Sequence, residues 1–100
     1  MTRYALFFAL MTGLISPSIQ ADEALAKSKG CLGCHSIDNK IVGPAYKDVA
    51  KKYAGQNVVD TLAEKVMKGG GGVWGSMAMP PNAVSADEAK KLVQWVLSLK

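Results

Sequence analysis

Two cysteines and the chain's single histidine fall within five positions, in the run Cys31-Leu32-Gly33-Cys34-His35. Cysteines three apart on a turn can add their thiols across the two vinyl groups of a haem, leaving two thioethers. The histidine directly after them is then held beneath the ring with an imidazole nitrogen aimed at the iron. Cys31 and Cys34 are thus the expected attachment points and His35 the expected proximal ligand. Three other chemistries use the same residue types. A structural zinc site normally takes four protein ligands, more than two cysteines and one histidine supply. A thioredoxin-like pair belongs in a βαβ setting that the sequence does not offer. A local disulfide stays open, although it gives the histidine no role.

The sixth position of such an iron decides what the protein does. With one face open, haem binds gases or activates peroxide; closed on both faces by protein ligands, it exchanges electrons. There is no second histidine, so the soft thioether of a methionine is the natural candidate, with lysine or an open site as alternatives. Beyond the cysteine motif the chain has Met67, Met77 and Met79. Met67 falls at the end of an apolar helical stripe and reads as core filler. Met77 and Met79 lie in a loop, and Met79 runs straight into Pro80 and Pro81, which stiffen the chain as a segment held against a metal requires. Met79 is the favoured distal ligand, and Met77 is its local rival.

Four helical segments must position these groups. Asp22 and Glu23 suit a helix N-terminus and Lys27 and Lys29 its end, with Gly30 able to take the left-handed cap. Pro44 suits a first helical turn, followed by Tyr46, Val49, Ala50 and Tyr53 at three-and-four spacing, and Gly55 closes the pattern. Asn57 is the expected N-cap of a third helix whose apolar face is Val59, Leu62, Ala63 and Val66. Ser85 with Glu88 makes a capping box for the last helix. Its stripe of Ala89, Leu92, Val93 and Val96 is widened by Trp95 and Leu99, so it should pack on more than one neighbour. No alternating strand pattern and no internal repeat occurs, which makes the chain all-α, with loops near 31–43 and 69–84. The run Gly69 to Gly72 lacks the following Gly-Lys-Ser/Thr of a phosphate loop and reads as a flexible connector.

The first 21 residues stand apart. Arg3, the apolar run from Ala5 to Met11, and the short stretch Ser16 to Ala21 read as a secretory signal peptide, too short to span a bilayer at the roughly 20 apolar residues this takes. Cleavage is expected after Ala21, with a cut after Ser18 as the alternative, leaving one domain over 22–100. Of the 12 basic residues only Arg3 is lost with the leader, so 11 lysines face 8 acids, too few and too dispersed to argue for nucleic acid. With 49% hydrophobic and 20% charged residues the chain should fold, yet four short helices bury little apolar surface. A covalent haem would supply the missing core.

Several separate segments occur together and in order. They are Lys29-Gly30-Cys31-x-x-Cys34-His35, Val42-Gly43-Pro44-Ala45-Tyr46, Gly72-Val73-Trp74-Gly75, Met79-Pro80-Pro81-Asn82 and Trp95-Val96-Leu97-Ser98. In these the chain resembles the small bacterial class I cytochromes c of the c-551/c-552 group over essentially all of 22–100. The resemblance implies a small all-α cytochrome c fold, about four short helices wrapped around one covalently bound haem c. It implies a monohaem electron carrier of the periplasm, not an enzyme, and a monomer without a membrane anchor. Its transient redox partners would be an upstream donor and an acceptor such as a haem nitrite reductase or a terminal oxidase. By the same resemblance Met79 matches the distal ligand, Pro44 the carbonyl that receives the proximal histidine's second ring proton, Trp74 a donor to a haem propionate, and Asn82 a side chain in the distal ligand region. One departure is the run Ser76-Met77-Ala78, where the group usually has prolines bracketing the residues before its ligand. A docking face centred on Leu32, Ile41, Val42, Met77 and Pro80, with Lys27 and Lys29 on its rim, is expected at the haem edge. A haem sensor or peroxidase-like protein with a labile sixth site, or a docking module of a larger respiratory enzyme, are the alternatives.

Overall fold

The computed structural model describes residues 18–100, with side chains described from Asp22 onward. The expected leader over 1–21 lies essentially outside the described residues. Four helices follow one another: α1 Ser18–Ser28, α2 Tyr46–Lys52, α3 Val59–Lys68 and α4 Ala86–Ser98, with a single 3-10 turn at Cys31–Gly33. Among the described residues there is no strand, only two isolated antiparallel bridges, His35 with Lys40 and Gly70 with Met79.

The helix ends are set by different means. At α4 the Ser85 hydroxyl accepts from the Glu88 amide at 3.1 Å while the Glu88 carboxylate accepts from the Ser85 amide at 2.9 Å, the reciprocal box expected from the sequence. Gly30 adopts the left-handed conformation after α1 (φ 78°, ψ 8°), as expected. Three expectations need correction. The helix α1 begins at Ser18, so Asp22 and Glu23 lie in its second turn and not at its N-terminus. The cap of α3 is Val58, which gives no side-chain hydrogen bond, so Asn57 is not the cap. Pro44 stands outside α2, whose cap is the extended Ala45. The first amides of α2 are instead satisfied by loop carbonyls, Tyr46 N–H to Ser36 O at 2.8 Å and Lys47 N–H to Ile37 O at 3.0 Å. That docks α2 on the cysteine loop.

Helix α4 is the spine, packing against α1, α2 and α3, as its broad apolar stripe requires. One core cluster joins Ala26, Tyr46, Leu92, Trp95 and Val96; the other joins Ala63, Ala89 and Val93, and Val66 and Val84 pack on both. Trp95 is the one large side chain that is fully buried among the described residues. It packs with Ala26, Tyr46, Leu92 and Val96. Five of the ten buried hydrophobic residues are alanines. Since burying a Val, Leu or Phe side chain stabilises by about 1.5–3 kcal/mol and alanine by far less, the protein's own core is thin for its length.

Candidate functional site

The cysteine motif is a compact local structure. After the left-handed Gly30, the 3-10 turn is closed by bonds from the amides of Cys34 (3.2 Å) and His35 (3.0 Å), both to Cys31 O. Both thiols are free, so the disulfide alternative is not formed. No group of three His, Cys, Asp or Glu side chains converges on a common point among the described residues, which removes the zinc alternative on geometry. Cys34 is exposed and Cys31 half-buried. Burial pushes the Cys31 thiol up from its ordinary range, and the neighbouring Tyr46 phenol is raised too, first by burial and then by the Cys31 charge.

His35 is held from several directions. Its Nδ1–H donates to Pro44 O at 2.8 Å, which leaves Nε2 as the free nitrogen. Pro44 can accept because it lies outside α2 and its carbonyl is not used in the helix ladder. The Tyr46 ring stacks on the imidazole, 4.7 Å between centroids at 18°, and Tyr46 in turn meets Trp95 edge-on at 5.5 Å. Gly43 abuts the same ring so closely that a Cβ there would lie 2.5 Å from Cε1. The Gly43 amide is tied to Cys34 O at 2.7 Å. The orientation of the imidazole is therefore fixed by its surroundings.

A cleft lined mainly by apolar side chains opens beside His35. Every residue expected to hold or touch the haem lines it: Cys31, Cys34, His35, Pro44, Trp74, Met79 and Asn82, with Met77 as well. Met67 does not line it; it packs against Ala63, Ala89 and Val93 as core filler.

Met79 is fixed through its backbone. Its amide donates to Gly70 O at 2.8 Å and its carbonyl accepts from the Gly70 amide at 3.0 Å. Asn82 then pins the following turn, its amide and Nδ2 both donating to Val66 O (3.2 and 2.9 Å) and Nδ2 also to Pro80 O at 3.2 Å. The glycine run thus corrects its sequence reading: it is a platform and not a flexible connector. A Cβ on Gly69 (φ +81°) would lie 2.5 Å from Met79 O, and one on Gly71 would lie 3.0 Å from Ala78 Cα. Only glycine lets the two segments approach this closely.

Two features escaped the sequence reading. Lys65, on α3, is the only lysine lining the cleft among the described residues, and the sequence reading gave it no role. Lys52 places its ammonium 5.7 Å over the Trp74 ring and 5.8 Å over Tyr53, bringing α2 to the loop that carries Trp74. Of the expected docking face, Ile41, Val42 and Met77 are exposed, together with Val73 and Trp74. Leu32 is half-buried against the core. Lys29 pairs with Glu88 at 3.5 Å, while Lys27 is exposed.

An imidazole with Nε2 free, two free thiols on one turn and an apolar cleft beside them make a donor set suited to a covalently attached haem, in a fold of short helices around it. A sequence model of the cytochrome c family matches residues 21–100. The chain is 62% identical to cytochrome c-552 of Hydrogenobacter thermophilus, over 80% of this chain and 83% of that one. It is 54% identical to cytochrome c-551 of Pseudomonas aeruginosa over the whole of both (100% and 100%). The crystal structure of wild-type Nitrosomonas europaea cytochrome c552 superposes with a TM-score of 0.74 at 49% identity, covering 78% of this chain and 99% of that one. The chain belongs to the cytochrome c family, among its small class I members, and its cofactor is covalently bound haem c.

Proposed function

We propose that the protein is a one-electron carrier of the periplasm, with its haem held by Cys31 and Cys34 and its iron ligated by His35 and Met79. The observation that carries this reading is that two potential ligands on one cleft are each immobilised by backbone groups, His35 by Pro44 O and Met79 by the two-way bridge to Gly70. Held in this way, the ligands need little rearrangement when the charge on the iron changes, which suits rapid exchange. The bound group supplies the redox couple. The chain does the rest. Pro44 fixes the tautomer and orientation of His35 and raises its basicity. Gly70 and Asn82 fix the segment that carries the Met79 thioether, a soft ligand that favours the ferrous form. The Trp74 indole N–H and the Lys65 ammonium are the donors suited to a propionate at the cleft.

Export follows from the leader-like residues 1–21, after whose removal one domain over 22–100 would remain. Among the described residues no helix is long and apolar enough to cross a membrane. The exposed Ile41, next to the cleft-lining Val42, supports the small apolar contact that a short-lived redox complex uses. Its partners would be an upstream donor and an acceptor such as a haem nitrite reductase or a terminal oxidase. Carbon monoxide added to the ferrous protein at neutral pH tests the reading. A carrier closed on both faces forms no adduct; ready adduct formation would overturn it in favour of a sensor or peroxidase-like role.

A further inference from the structure

The cleft is lined by a second thioether that the proposed ligand set does not use. Met77 lies two residues before Met79 and lines the same cleft. Its segment differs from that of Met79 in one respect. The Gly70–Met79 bridge closes a loop of residues 71–78, and among the described residues no backbone–backbone hydrogen bond engages any of these eight. Met79 is held by this bridge, whereas no backbone–backbone hydrogen bond holds Met77 among the described residues.

We propose that Met77 is a reserve ligand that takes the haem iron when Met79 leaves it, a proposal that rests on the reading of Met79 as the resting ligand. The geometry offers a route. In extended chain the side-chain period is two, so a slip of two residues, about 7 Å, returns the same face to the cleft. The Gly70 amide and carbonyl that now hold Met79 bond only backbone groups, so they can hold Met77 in the same way. The loop then shortens to residues 71–76, in which Gly71, Gly72 and Gly75 supply the freedom a tighter loop needs. Gly72 and Gly75 already sit at positive φ (91° and 122°) with nothing within 4 Å of a built Cβ. Asn82 stays bonded to Val66 O, and Ala78 and Met79 take up the slack ahead of the stiff Pro80-Pro81 pair. The contacts that must be given up are those of Gly71 with Ala78 and of Gly69 with the Met79 carbonyl. On a bound haem, Met77 would replace Met79 as one thioether for another, a swap that would change neither protons nor electrons and would need no co-reactant.

The test reads ligation and not activity. The far-red charge-transfer band of methionine sulfur on ferric iron is recorded for wild type, Met77→Leu, Met79→Ala and the Met79→Ala/Met77→Leu double variant, all as matured holoprotein. Met79→Ala should retain a sulfur band and the double variant should lose it. Identical spectra for the two would overturn the proposal. Loss of the band in Met77→Leu alone would instead overturn the assignment of Met79, and the reserve role with it. If Met79→Ala does not accumulate, wild type and Met77→Leu are compared in rising denaturant below global unfolding. Wild type should keep its sulfur band to the higher concentration, and superimposable curves would overturn the proposal.

Discussion

Gly43→Ala places one methyl group against the ring of His35, the proposed proximal ligand. The backbone at Gly43 is not in the left-handed region, so alanine is conformationally acceptable and the effect is steric. The new Cβ would lie 2.5 Å from His35 Cε1, 2.9 Å from Nδ1 and 3.0 Å from Nε2, where relaxed carbon contacts are about 3.5–4.0 Å. Something must yield by about 1 Å. The loop is tied by the Gly43 amide to Cys34 O, and the ring by Pro44 O and the Tyr46 stack. Overpacking of this kind costs about 1–3 kcal/mol, and loss of the Nδ1–H bond adds about 0.5–1.5 kcal/mol. In a domain of this size about 3 kcal/mol lowers Tm by roughly 10–25 °C. The assay is thermal melting of the matured protein by circular dichroism, with the ferric spectrum recorded in parallel. Gly33→Ala is the control, since a Cβ there meets nothing within 4 Å. Equal melting temperatures for the two variants, with unchanged ferric spectra, would refute the idea that Gly43 seats the imidazole.

Gly69→Ala should destabilise the matured protein by at least about 1 kcal/mol more than Gly55→Ala, measured by denaturant melts. Both positions have positive φ, but only Gly69 would drive its Cβ into the Met79 carbonyl. The Glu88 carboxyl is held below its ordinary range, chiefly by the Ser85 amide and then by Lys29. Its contribution is therefore present at neutral pH and lost as pH falls through that lowered range, so Glu88→Gln should flatten the acid limb of Tm against pH. The Cys31→Ala/Cys34→Ala variant should be largely unfolded by circular dichroism, because five of ten buried hydrophobic residues are alanines; a native-like cooperative melt would count against this.

What could be read from the sequence was local. Cys31, Cys34 and His35 act through spacing within one turn, and Ser85 with Glu88 through spacing within one helical turn, so both were legible. The broad stripe on α4 correctly implied several neighbours, because it records how much of the helix is covered. Contacts between distant segments left no such trace. Gly69 to Gly71 looked like a flexible linker because the Met79 segment they support is some ten residues away. Gly43 beside His35 was invisible for the same reason. Asn57 had the right chemistry for a cap one residue too early, and the α2 amides are met by carbonyls of Ser36 and Ile37 that no side-chain rule anticipates. Lys65 and Lys52 carried no signal of their own in the sequence, and only the folded chain brings them to the cleft and to Trp74.

The most direct single measurement is the optical spectrum of the periplasmically matured protein, oxidised and reduced, before and after denaturing extraction. A haem that stays with the chain on denaturation, low-spin spectra in both states and a far-red sulfur band in the ferric protein are the expected result. Covalent haem with a high-spin ferric spectrum and no sulfur band would contradict a carrier whose iron is closed by His35 and Met79.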